Sequence, residues 1–377
     1  MSEAIIVGAG PGGCVAAVAL ARRGWGVTLI EQHQFPREKV CGECLSALGI
    51  EVLGRLGLVD EIRACRPVVL KRTVLHGQHR DSVSIALPRE MWGLSRWALD
   101  DALLTAARGH GVRVLQPARC EGIRSGKRPS VTVRELLGNT TITLVADWVV
   151  LADGKAGLLP RRPPATGDLG IKAHIREVDG PRDAIELFGL PGNYGGMAPI
   201  EGERWNAAFS VPSNRLKMFG GDVERLMGQM MRENPVLACR LRGASKVGEW
   251  HVSPLPRFGV STDWPAGIVP IGNAAAALEP IGGEGMGLAM RSAEMAADAL
   301  SDTDQTSRNV DVMQLQAQFR HLWRTRRAAC RALAMLMSSA RLADMAITVV
   351  GASESTAMGA MHLMGKSERQ VAEWKTS

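Results

Sequence analysis

The stretch AIIVGAGPGGCVAAVALARRGWGVTLIE, residues 4–31, decides the architecture of this chain. Ala4-Ile5-Ile6-Val7 is a short apolar run of the kind that forms a buried strand, 8–13 is a glycine turn, 14–23 has helical spacing, and Val27-Thr28-Leu29-Ile30 is a second strand. That order is one βαβ unit, and it sets a G-x-G-x-x-G pattern on the turn that opens the helix. Gly8 allows the tight turn, Gly10 lets backbone approach a pyrophosphate, and Gly13 allows the helix to pack closely on the strand. Free N–H groups and the positive end of the helix dipole then face the phosphates, while Glu31, at the end of the second strand, would accept from ribose hydroxyls. A dinucleotide is the expected ligand. The glycines do not say whether it is a flavin or a nicotinamide.

Downstream, Leu45, Leu48, Val52, Leu53 and Leu56 share one stripe and predict a helix over about 45–58. Residues 67–87 carry β-branched residues on both sides of a polar turn at 77–81 and predict a hairpin. Ser95 is placed to cap a helix whose buried side holds Ala98, Leu99, Ala102, Leu103 and Ala106. Strand signals return at 112–115, 130–134, 140–144 and 148–151. The Pro-rich segment 161–166 is the clearest boundary in the chain. Beyond it 168–264 is strand-like and rich in Trp, Gly and Pro, broken by one amphipathic helix at 221–232. Residues 268–271 predict a further strand, 286–300 a helix of small residues, and 311–374 a Met-rich helical tail.

Composition narrows the classes. With 377 residues, 46% of them apolar and 22% charged, the chain is a packed globular protein, neither disordered nor a disulfide mini-scaffold. A net charge of +7 from 45 Lys and Arg against 38 Asp and Glu is a mild excess, and no basic run interleaves with aromatics, so no nucleic acid is expected as a partner. Seven cysteines in no paired ladder, behind an opening without a leader pattern, predict a reduced, cytoplasmic protein. The longest apolar stretch, 332–350, is interrupted by Arg341 and Asp344, so no transmembrane helix is expected. The eight histidines have no metal-ligand spacing; His174 and His251 read as surface or satisfied core residues, and no metal is expected. Arg320, Arg324, Arg327 and Arg331 make one basic helix face, which suits either plain solvation or docking to a membrane surface or a carrier protein.

Three further segments narrow the ligand. Residues 150–154, VLADG, end a strand in an Asp-Gly turn; 268–287, IVPIGNAAAALEPIGGEGMG, end a strand in Gly-Asn and open a helix from a second glycine loop; 37–44 read REKVCGEC. Together with the N-terminal unit these resemble the FAD-dependent oxidoreductases of the para-hydroxybenzoate hydroxylase type, and within them the geranylgeranyl reductase and halogenase-like branch, over about residues 1–300. The resemblance implies an α/β (α+β) fold. In it, a Rossmann-like three-layer FAD domain is assembled from 1–65, 93–165 and 265–300. A substrate domain built on a mixed or antiparallel sheet is inserted through 66–92 and 166–264, and 301–377 form a helical C-terminal extension.

The same resemblance implies roles. Gly8, Gly10, Pro11, Gly12, Gly13, Glu31 and Gln32 would hold the ADP half, Arg96 would lie against the cofactor, and the Cys120 backbone would meet the adenine. Asp153 and Gly154 match the turn that serves both FAD and the nicotinamide donor. Asn273 stands where the family has Asp, which removes a charge but keeps an acceptor for the ribitol. Gly285 and Met286 would lie under the flavin ring, with a helix N-terminus aimed at it. Cys41 and Gly42 would border the flavin through their backbone, and Glu43 would face substrate with Tyr194, Met197 and Pro280. The Gly-rich segment 193–199 would equally suit an ordinary turn at a sheet edge.

The activity implied is that of an FAD-dependent oxidoreductase, with NAD(P)H as a transient donor. Monooxygenation of a small, largely apolar or aromatic metabolite is the first expectation, and saturation of prenyl or polyene double bonds by the same cofactor is the alternative. A C-x-x-C dithiol enzyme, a halogenase and a flavin-binding protein without turnover rank lower: mid-chain has no second nicotinamide-binding glycine motif, and no Trp-x-Trp-x-Ile-Pro segment is present.

Overall fold

The computed structural model describes residues 1–366 apart from 79–81, 156, 160–166, 257, 262, 302–307 and 365. The Pro-rich segment 161–166 and the end of the tail beyond 366 therefore lie outside the described residues.

Five parallel strands run in the order Ile268–Pro270, Trp148–Leu151, Glu3–Val7, Gly26–Ile30, Arg113–Leu115. Side-chain alternation along them sorts two cores. Ala4, Ile6, Trp148 and Val150 point into a helical layer. Ile5, Val7, Val149 and Leu151 point into an antiparallel sheet of Ala118–Arg124, Ser130–Glu135 and Thr141–Val145. The result is the three-layer, Rossmann-like arrangement that the opening βαβ unit announces. Its first helix, Pro11–Ala21, is buried from Pro11 to Leu20 because Gly285–Ser301 packs across it. A Cβ on Gly12 would lie 3.1 Å from the Ala289 carbonyl oxygen, so small residues set that close crossing.

Ser95 does cap Arg96–Gly109, its Oγ accepting from the Ala98 N–H at 3.1 Å. The single helix expected over 45–58 is instead Ala47–Arg55 followed by Val59–Ala64, because Gly57 takes a left-handed φ of 68° that breaks the turn.

The larger sheet has eight strands, ordered Ser245–Pro254, Asp168–Arg176, Trp205–Pro212, Asn193–Pro199, Ala184–Leu190, Val68–His76, Ser82–Gly93, Cys44–Leu45. Ala184–Leu190 runs parallel to Val68–His76 and every other pairing is antiparallel, so the sheet is mixed. One face packs Phe188, Met197 and Phe209 on the helix Val223–Glu233, which Asp222 caps. The other face looks toward the tail helices Arg308–Met337, Ala340–Ala352 and Glu354–Leu363. Among the described residues no single helix is long and apolar enough to cross a membrane; Val312–Met337 and Arg341–Ala352 pass that test only as a pair bent by 117°.

Candidate functional site

Two cavities meet at Val40, which borders both. The first, about 670 Å³, is polar and opens beyond the C-terminal ends of the parallel strands, where Val7, Ile30 and Ala152 lie. Gly8, Gly10, Glu31, Gln32, Cys120 and Asp153 border it, as the sequence reading expects. Pro11, Gly12 and Gly13 form the first turn of the helix behind them, which has no side-chain cap, so its leading N–H groups stay available to an anion. A Cβ at Gly10 would meet only Arg96 Nη2, at 3.7 Å, so the turn stands open where backbone has to approach a ligand.

Charge is packed densely behind this turn. Glu31 is buried; one carboxylate oxygen accepts from the Ala9 N–H at 2.9 Å and the other from the His33 N–H at 2.8 Å, which holds the glycine turn to the second strand. Arg96 is buried and bidentate to Asp100 at 2.6 and 2.7 Å; burial opposes its charge, and the Asp100 carboxylate more than offsets this and holds it above the usual range. Three buried polar atoms of cavity residues have no partner: Arg37 Nε, Asp153 Oδ1 and Trp250 Nε1. Unsatisfied groups of this kind converging on one polar cavity mark the place of a ligand that would satisfy them. Of these, Arg37 and Trp250 carried no assigned role in the sequence reading, and His251, read there as surface or core, also borders the cavity. Trp250 and His251 come from a strand of the other sheet, remote in sequence from the glycine motif.

The second cavity, about 320 Å³, lies between the large sheet and the tail helices. Cys41, Gly42, Pro280 and Tyr194 border it, with Leu75, Ile85, Leu187, Leu333, Leu336 and Met337 among an otherwise largely aliphatic wall. The Tyr194 hydroxyl donates to Glu279 at 3.1 Å, and the other Glu279 oxygen pairs with Arg331. Met197 borders the cavity, but, contrary to expectation, strand alternation turns its side chain to the sheet face opposite Tyr194, into the cluster with Phe188 and Phe209.

The Glu43 side chain, expected to face substrate, lines neither cavity. Its left-handed backbone, φ 55°, turns the carboxylate away from the cavity wall into a fully buried knot. There it accepts from Lys172 Nζ at 2.6 Å and from the Arg96 N–H at 2.8 Å, and it pairs with His174 Nε2 at 2.7 Å. Burial pushes its pKa up, but the His174 and Lys172 bonds outweigh that and hold it low. Glu38, Glu43 and His174 would bring three potential metal-ligand atoms within 4.8 Å, but the Lys172 ammonium bonds both carboxylates and already fills the cation's place. His174 is thus the satisfied core residue that was one of its two expected readings, whereas Lys172 had no expected role; their i, i+2 spacing on one strand is the signal that joins them.

Some expected residues lie outside both cavities. Asn273 is exposed in the turn Gly272–Ala274, Gly285 opens its helix, and Met286 is buried in the core beside it. Arg96 and Gly154 stand just behind the polar cavity, the Gly154 Cβ position lying 3.7 Å from Lys39 Nζ. Cys41 and Cys44 are both free, and burial pushes the Cys44 thiol up to about 12, so it keeps its proton at neutral pH.

Residues 1–167 match the family model of the FAD binding domain. The chain therefore carries an FAD binding domain in its N-terminal part. Its similarity to curated proteins extends further: it is 24% identical over 345 residues to the menaquinone reductase of Mycolicibacterium smegmatis, covering 80% of this chain and 76% of that one. It is 26% identical over 319 residues to digeranylgeranylglycerophospholipid reductase 2 of Methanopyrus kandleri, covering 80% and 78%. In fold it is similar to the flavin-dependent halogenase CmlS, with a TM-score of 0.76 and 22% identity over 87% of this chain; the chain spans 63% of that protein, and the likeness is one of fold alone.

FAD suits the polar cavity on its own chemistry: an uncapped helix N-terminus for the pyrophosphate and three unsatisfied polar atoms along the wall. Lys39 adds a testable pH dependence to this flavoprotein. Burial, helped by Arg96 and Arg37, lowers its pKa to about 8 in the unliganded protein. An anion beside it would raise that value, so FAD affinity should be full below pH 8 and should fall as pH rises through the bound-state pKa. Fluorescence titration is expected to give weaker binding at high pH, and Lys39→Met should bind about tenfold more weakly at neutral pH with a flattened profile. An affinity independent of pH in the native protein would refute the assignment.

Proposed function

We propose that this flavoprotein saturates a carbon–carbon double bond in a long aliphatic, isoprenoid-type substrate, with NAD(P)H as its donor. The observation that carries the reading is the sole tyrosine of the chain, set in the wall of an aliphatic cavity with Glu279 and Arg331 behind it. FAD, when bound, supplies a hydride equivalent. Saturation needs one proton for each hydride, the two new C–H bonds replacing the π bond. Burial, then the charge of Glu279, pushes the Tyr194 pKa well above its ordinary value, so the phenol keeps its proton at neutral pH. Glu279 holds that hydroxyl in one orientation and is itself held by Arg331, while water reaching the cavity returns to Tyr194 the proton lost to substrate.

The sequence reading puts hydroxylation first. The aliphatic wall and the two curated reductases favour the reverse order. Anaerobic incubation with NAD(P)H and a polyprenyl quinone or a geranylgeranyl lipid is the test. A product heavier by two hydrogens, formed without oxygen, is expected. A product that gains one oxygen atom and forms only in air would establish hydroxylation instead.

A further inference from the structure

We propose that the outer face of the tail helices Ala340–Ala352 and Glu354–Leu363 docks on an anionic lipid bilayer and feeds the aliphatic cavity from it. Large apolar side chains stand exposed along them: Leu342, Met345 and Val349 on the first, and Met358 and Leu363 on the second, are 40 to 63% exposed, as is Met335 near the end of the helix before. Elsewhere among the described residues such side chains are spread along the chain, as with Val69, Trp97 and Met218. Leu342, Met345 and Val349 fall at i, i+3 and i+7, one stripe along one helix. Scattered apolar residues need no explanation, but three exposed on one stripe of one helix mark an interaction surface.

Two observations choose the bilayer over a protein partner. Exposed Arg341 stands one turn before Met345 on the same helix, and exposed Arg320, Arg324 and Arg327 add positive charge on the helix before it, as an anionic headgroup layer requires. The inward sides of the same helices supply Leu333, Met337, Ala346, Val350 and Met361 to the cavity wall, so a chain leaving the bilayer would cross little more than one helix diameter, about 10 Å. The inference rests on the cavity taking a lipid-like chain. Its test reads binding without turnover, so it can fail while double-bond saturation of a detergent-solubilised substrate stands, and the reverse.

The FAD-loaded protein is floated with vesicles of phosphatidylcholine alone and of phosphatidylcholine mixed with phosphatidylglycerol, at low and high salt. We expect several-fold more protein on the mixed vesicles, reduced by salt. The double variant Met345→Glu/Val349→Glu should lose about tenfold or more of that binding with unchanged flavin content, and Arg324→Glu/Arg327→Glu should lose only the preference for anionic lipid. Native protein that stays off mixed vesicles at low salt, or a double variant that binds as the native protein does, overturns the proposal. So does a native dimer that the double variant converts to monomer without any vesicle binding, which would assign the face to a second copy of the chain.

Discussion

Gly13→Ala protein will be recovered without flavin. A Cβ at this position would lie 1.8 Å from the Gly8 carbonyl oxygen and 3.2 Å from the Ala152 Cβ, and the nearer atom is backbone, which cannot swing aside as a side-chain end can. The helix Pro11–Ala21 must therefore lift from the strand Glu3–Val7, and the turn between them opens. Overpacking of this kind costs about 1–3 kcal/mol or more, and here it falls on the segment that would hold the pyrophosphate. FAD affinity should drop by roughly a hundredfold or more, on the order of 2.8 kcal/mol. The ratio of flavin to protein absorbance measures it directly, and urea unfolding of the apoprotein separates lost affinity from lost fold. A variant that purifies fully yellow would contradict this account of the glycine turn.

Tyr194→Phe should remove product formation while leaving reduction of the flavin by NAD(P)H intact. The substitution deletes one oxygen from a buried wall and keeps the ring, so the cavity retains its shape. What is lost is the only phenolic proton in the chain. A positioned general acid contributes about 10² to 10⁴ in rate, and the loss should fall in that range. Glu279→Gln keeps an acceptor for the phenol but removes the charge that pairs with Arg331, and a smaller loss in the same direction is expected. Because the native phenol is held well above its ordinary pKa, the native rate should show no tyrosine ionisation near neutral pH. Stopped-flow traces of flavin reduction and reoxidation, read beside product yield, distinguish the steps; an unimpaired yield in Tyr194→Phe would exclude tyrosine as the acid.

The cofactor half of the site was legible because its chemistry is written locally. Gly8, Gly10 and Gly13 are needed by a turn within a few residues of themselves, and Glu31 closes the same βαβ unit. Such contacts have short sequence separation, so spacing alone carries them. Glu43 was misread because its position depends on Lys172 and His174, 129 and 131 residues away, and on a left-handed backbone at a non-glycine residue. Met197 was misread for a simpler reason. A strand's period of two says that Met197 and Tyr194 face opposite ways, but only the packed sheet says which side holds the cavity.

The tail shows the same division. Its Met-rich helical pattern and the row Arg320, Arg324, Arg327 and Arg331 are visible in the sequence as a basic face. The fold takes Arg331 from that row for the buried carboxylate of Glu279, and turns Leu342, Met345 and Val349 outward. The parallel-sheet unit, the ligand class and the helical character of the tail were readable from the residues alone, since each is set by periodicity or by a turn's own steric demands. Which carboxylates face a cavity and which are spent on buried cations was settled by the packed fold, because desolvation makes every buried charge find a partner and that partner can come from anywhere in the chain.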